Sequence, residues 1–201
     1  MQKYNALILF GAPGCGKGTQ GRALGTLPGF FHCACGDVFR SISSATLIGK
    51  QISEFSSRGE LVPDTLTIEL WKEHICKRVQ TLCFNPETDL LVLDGIPRNA
   101  KQARLLEDTI QVKAVINLQC FNRSELVTRL RRRALRENRL DDAKEEVILH
   151  RLDVFETLSK PLLDFYGPEL ICHADSGQKP AHVLHTILDH IRKIATQEIC
   201  A

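Results

Sequence analysis

The sequence predicts an α/β fold in which a parallel, doubly wound sheet of five strands is flanked by helices. Short apolar runs alternate with amphipathic stretches along the chain. The first apolar run ends at a glycine-rich turn, and a helical pattern begins just beyond it. The 201 residues suffice for one such domain with a well-buried core.

The expected strands are Ala6–Phe10, Phe31–Ala34, Leu90–Asp94, Ala114–Cys120 and Leu170–Ala174. The last amphipathic stretch, His182–Ala195, carries Val183, Ile187, Ile191 and Ile194 at helical spacing, as a helix packed on the sheet does. No repeat, low-complexity tract or linker divides the chain, so residues 1–201 are expected to form one domain.

Composition excludes several classes. Apolar residues make up 43% and charged residues 25%, an ordinary globular balance, and a net charge of +2 gives no case for nucleic acid or a membrane surface. The Ala6–Phe10 run is too short for a signal-peptide core or a membrane span, and no other run approaches that length. The eight cysteines have no regular spacing and include no Cys-x-x-Cys pair, which argues against a disulfide framework or zinc. Reduced thiols in a cytoplasmic protein are the expectation.

The chemistry begins at Gly11-Ala-Pro-Gly-Cys-Gly-Lys17-Gly-Thr19. Phosphate oxygens must approach main-chain amides closely, and side chains obstruct that approach. Glycines at 11, 14, 16 and 18 let successive N–H groups turn inward as an anion nest, and the following helix adds its positive end. Lys17 is placed to bridge the outer phosphates and Thr19 offers a hydroxyl near the metal. The general motif has Ser or Thr directly after the lysine, whereas here Gly18 intervenes before Thr19.

From this loop onward the chain resembles the adenylate kinases, of the nucleoside monophosphate kinase group, over essentially its whole length. The loop with Gln20 is similar to their ATP phosphate loop. Cys35-Gly-Asp-Val-Phe-Arg40 resembles the T-G-D-x-x-R segment that opens the monophosphate-binding part, and Gly59-Glu-Leu-Val-Pro-Asp64 the turn that closes it. Leu93-Asp-Gly-Ile-Pro-Arg98 with Gln102 is similar to D-G-F-P-R-x-x-x-Q. The resemblance implies MgATP and AMP as substrates giving two ADP, a mobile monophosphate-binding insert at 35–64 and a short lid at 133–144. It implies an ATP site of Gly14, Cys15, Gly16, Lys17, Gly18, Thr19, Arg129, Arg133 and Lys179. It implies an AMP site of Cys35, Gly36, Arg40, Glu60, Leu61, Val62, Gly95, Arg98, Gln102, Arg139 and Arg151. Thr19 and Asp94 fall where magnesium is held through water.

The implied roles make physical sense. The two nucleotides bring about six negative charges that must be held in line. Lys17, Arg98, Arg133, Arg139 and Arg151 are the catalytic cations, and arginine forks onto phosphate in a geometry lysine cannot match. The attacking phosphate oxygen is already ionised, so no general base is needed, and none of the seven histidines falls in a motif. Arg131, Arg132 and Arg136 read as a solvated face.

Cys35 and Ile96 depart from the family's pattern, and the first bears on substrate. Cys35 stands where the family has the threonine that bonds adenine, which leaves UMP or CMP as the alternative acceptor; Gln102 favours AMP, since the pyrimidine relatives carry Asn there. Ile96 replaces Phe and stays apolar. Cys15, beside a helix start and Lys17, is expected to have a lowered pKa and to react with thiol reagents unless ATP protects it. A monomer is expected, since no apolar stripe is left over.

Overall fold

The computed structural model describes residues 3–137 and 144–199, with side chains to 194. Its sheet is fully parallel, in the order β2-β3-β1-β4-β5. The strands are β1 Tyr4–Phe10, β2 Phe30–Ala34, β3 Leu90–Asp94, β4 Ile110–Gln119 and β5 Ile171–Asp175. Each expected strand is present, and β4 starts four residues earlier because Ile110 pairs with Tyr4 through an irregularity between Ala6 and Leu7.

The sheet is covered on both faces, as a parallel sheet requires. Alternation along β1 splits the core. Ala6, Ile8 and Phe10 face one layer with Trp71, Ile75 and Phe84; Leu7 and Leu9 face another with Leu24, Leu130, Ile148 and Ile187. The first layer contains α2 (Cys35–Arg40), α4 (Asp64–Gln80), α5 (Ala100–Leu106) and α8 (Leu162–Tyr166). The second contains α1 (Lys17–Leu24), α6 (Arg123–Glu137), α7 (Glu145–Val154) and α9 (Pro180–Ile199). The remaining helix, α3 (Leu47–Arg58), is capped by Thr46 at its start and by left-handed Gly59 at its end.

The topology positions the site. After β3 the chain crosses over β1 to reach β4, so strand order reverses beside β1. The Gly11–Thr19 loop follows β1, Cys35–Arg40 follows β2, the turn to Arg98 follows β3, Arg129 and Arg133 on α6 follow β4, and Lys179 follows β5, so these residues lie toward one edge of the parallel sheet. Residues 35–64 form α2, α3 and the start of α4, while the expected lid range 133–144 takes in the end of α6 (133–137) and the residue before α7, its residues 138–143 outside those described.

Trp71 is fully buried between α4 and the sheet. Trp71→Ala is expected to cost about 3–5 kcal/mol, read as a lower urea midpoint with an unchanged m-value.

Candidate active site

The loop after β1 takes the shape its glycines allow. Gly14 and Gly16 have φ of 85° and 101°, in the left-handed region that other residues avoid. Helix α1 begins at Lys17, two residues earlier than the helical pattern read from the sequence, because Gly16 serves as its cap. A side chain at Gly11 would strike Leu118 O at 2.5 Å and Cys15 Sγ at 2.7 Å. The ammonium of Lys17 donates to the carbonyls of Gly11 (2.6 Å) and Ala12 (3.1 Å), so phosphate oxygens compete with two main-chain acceptors for it. Thr19 is exposed on the first turn of α1. The Cys15 N–H bonds Ala12 O at 3.1 Å and so helps close the loop itself.

Asp94 ends β3 directly beneath this loop. A Cβ at Gly18 would sit 3.5 Å from its Oδ2. Burial alone raises the Asp94 carboxyl, but His32, Lys17 and Arg98 outweigh it and hold the group below its ordinary value. A hydroxyl and a carboxylate are the oxygen donors magnesium prefers, so Thr19 and Asp94 fit that ion.

His32 was not anticipated as a site residue. Its Nε2 lies 3.7 Å from Asp94 Oδ2, an electrostatic contact rather than a hydrogen bond. The side chain occupies space left by Gly21 of α1 and by Gly25, the residue that caps its end: a Cβ at Gly21 would meet the ring Nε2 at 2.2 Å, and one at Gly25 the His32 Cβ at 2.8 Å. Two glycines four apart were the available signal.

Arg98 lies half-buried in the turn after β3, which holds the cis Ile96–Pro97 bond, and donates from Nε to Gly95 O at 2.9 Å. Burial pushes its pKa down, repulsion from Arg151 and Arg133 adds to that, and Asp94 opposes. Arg133 of α6 and Arg151 of α7 therefore lie within the field of Arg98. The stem of Arg151 also packs at Gly59, where a Cβ would lie 2.9 Å from its Cγ. Arg40 is exposed and pairs with Asp37 at 2.5 Å. Glu60 is exposed, Leu61 half-buried and Val62 buried. Arg139 lies outside the described residues.

Gln102 differs from expectation in its surroundings. It is 1% exposed, and both ends of its amide have protein partners, Oε1 accepting from Arg98 N–H (2.8 Å) and Nε2 donating to Asp64 (2.9 Å). Sequence reading gave Asp64 no role beyond its turn. Cys35 is buried beside the same turn, and burial pushes its thiol up to about 12 against the pull of Arg98.

On the donor side, Arg129 bonds Glu125 (2.5 Å) and Ser176 O (2.9 Å), joining α6 to the turn after β5. Gln20 reaches Pro180 O at 3.0 Å. Lys179 in that turn is exposed. An open hollow of about 870 Å³ near Asn5, Gln111, Lys113 and Tyr166 holds none of these residues, and the phosphate-binding chemistry lies at the carboxyl edge instead.

The expectation of an acidic Cys15 thiol is overturned. The side chain is 2% exposed, and desolvation raises its pKa more strongly than Lys17 lowers it.

Phosphate loop, strand-end carboxylate and converging arginines define a nucleotide-binding α/β phosphotransferase. An adenylate kinase family model matches residues 9–170. The chain is 36% identical over 172 residues to an adenylate kinase of Maricaulis maris, covering 81% of this chain and 85% of that protein. It is 36% identical over 171 residues to one of Thermus thermophilus (83% and 85%), and 36% over 194 residues to one of Cyanothece sp. (92% and 93%). The chain belongs to the adenylate kinase family, and it is a nucleoside monophosphate kinase.

Exposed Cys83, whose thiol is shifted down first by its hydrogen bond with Thr81, should be alkylated well before Cys15, Cys33 or Cys35. Peptide mapping after brief iodoacetamide treatment checks this; equal labelling of Cys15 and Cys83 would contradict it.

Proposed function

We propose that this chain transfers the γ-phosphoryl group of MgATP to AMP, reversibly, giving two ADP. The observation that carries the reading is the convergence of Arg98, Arg133 and Arg151 from three separate elements on one edge of the sheet, beside the Lys17 loop. Binding ATP alone does not call for cations from so many segments; aligning two phosphate chains does.

In this reading the loop amides and Lys17 take the donor phosphates, and Gly14, Cys15, Gly16, Gly18 and Thr19 frame them. Arg129, anchored by Glu125 and Ser176, and Lys179 border the donor base. Arg40 and Arg98 fork onto the acceptor phosphate. Cys35, Gly36, Glu60, Leu61, Val62, Gly95 and Gln102 enclose its base. Arg133, Arg139 and Arg151 offset the charge that builds on the moving group. Thr19 and Asp94 would hold magnesium through water, and the ion would neutralise charge on the phosphate oxygens. The attacking oxygen is already ionised, so the residues align and stabilise without abstracting a proton. Closure of the 133–144 lid over the 35–64 insert excludes water, which would otherwise take the phosphoryl group.

The chain is read as a cytoplasmic monomer; every described cysteine is free, which suits a reducing compartment. UMP or CMP is the second reading for the acceptor, supported by Cys35 in place of threonine. Initial rates with MgATP and matched AMP, UMP, CMP, GMP and dTMP separate the two: AMP is expected to lead, and a pyrimidine leading would transfer the assignment.

Arg98→Ala should lower kcat by about 10²–10³-fold with the fold retained by circular dichroism. Near-normal turnover would remove Arg98 from the reaction.

A further inference from the structure

The carboxylate of Asp64, at the first position of α4, sits at the centre of a hydrogen-bond ring. Its Oδ1 accepts from Asn99 Nδ2 and from Gln102 Nε2, both at 2.9 Å. Asn99 Oδ1 accepts from the Gln102 N–H at 2.8 Å, and Gln102 Oε1 accepts from the Arg98 N–H at 2.8 Å. Lys101 approaches only the outer oxygen, at 3.7 Å.

An ionised carboxylate can only accept, and a main-chain N–H can only donate. The Gln102 amide therefore has one allowed orientation, nitrogen toward Asp64 and oxygen toward Arg98. Because the side chain is 1% exposed, water does not replace either partner. Each partner uses half of what the amide offers. One N–H and one lone pair remain, in a fixed order.

That order discriminates between bases. Adenine presents the N1 acceptor beside a 6-amino donor, whereas a 6-oxo purine presents an N1–H donor beside an acceptor oxygen. A glutamine free to flip satisfies either edge; a locked one satisfies one of them.

We propose that Asp64 is a specificity-determining positioning residue, which locks the Gln102 amide so that the site takes a 6-amino base and rejects a 6-oxo base. This rests on the reading that Gln102 faces the acceptor base. A purely structural Asp64, tying α4 to the Arg98 turn, would affect both kinds of acceptor alike.

The test is kcat/KM for AMP and for inosine monophosphate, with saturating MgATP, in the wild type, Asp64→Ala, Asp64→Asn and Gln102→Leu. In Asp64→Ala the AMP-to-IMP ratio should fall at least about tenfold, with KM for MgATP unchanged. Asp64→Asn keeps an acceptor oxygen at the Oδ1 position and should hold the ratio within about threefold of wild type. Should Asp64→Ala fold poorly, Asp64→Ser preserves the helix start, is too short to reach Gln102, and is judged by the same ratio. A wild-type ratio in the folded Ala or Ser variant, with both acceptors slowed equally, overturns the lock; so does an Asn variant as unselective as Ala. Gln102→Leu separates the two levels. If it loses the ratio while Asp64→Ala keeps it, only the lock fails; if it keeps the wild-type ratio, the base-facing reading of Gln102 fails.

Discussion

The arrangement depends on one buried anion. Asp94 closes β3 with its side chain 13% exposed, and it is approached by Lys17 at the start of α1, His32 within β2 and Arg98 in the turn after β3. Cations taken out of water without a counter-charge are costly, by several kcal/mol each. Arg98 already works against burial and against Arg133 and Arg151, and Asp94 is the charge that offsets this. In the proposed reaction the site holds a triphosphate and a monophosphate together, which needs excess positive charge. One fixed carboxylate makes that excess tolerable in the folded chain.

Glycines do the complementary steric work. Gly21 and Gly25 leave room for the His32 side chain, whose ring approaches the same carboxylate. Gly59 lets the stem of Arg151 pack against the end of α3. Through that contact the 35–64 segment touches α7, the helix that carries Arg151.

Much of this was legible in the residue order. Alternating apolar runs disclosed all five strands, and the glycine-rich loop marked the junction of β1 with α1. What was not legible are relations through space. His32 carries no motif, and its meeting with Asp94 depends on β2 lying beside β3. Asp64 and Gln102 are 38 positions apart, and only the packing of α4 against α5 reveals their bond. Cys15 misled because neighbouring charge can be read from sequence, whereas desolvation cannot, and here desolvation is the larger effect. Arg139 lies outside the described residues, so its placement still rests on resemblance alone.

The central claim is that the converging cations deliver a phosphoryl group to a second nucleotide instead of to water. Following the label from [γ-³²P]ATP in the presence of AMP and magnesium tests it most directly. The account predicts label in the β-phosphate of newly formed ADP, with little inorganic phosphate. Label released mainly as inorganic phosphate, or retained in ATP with the protein folded and nucleotide bound, would contradict it.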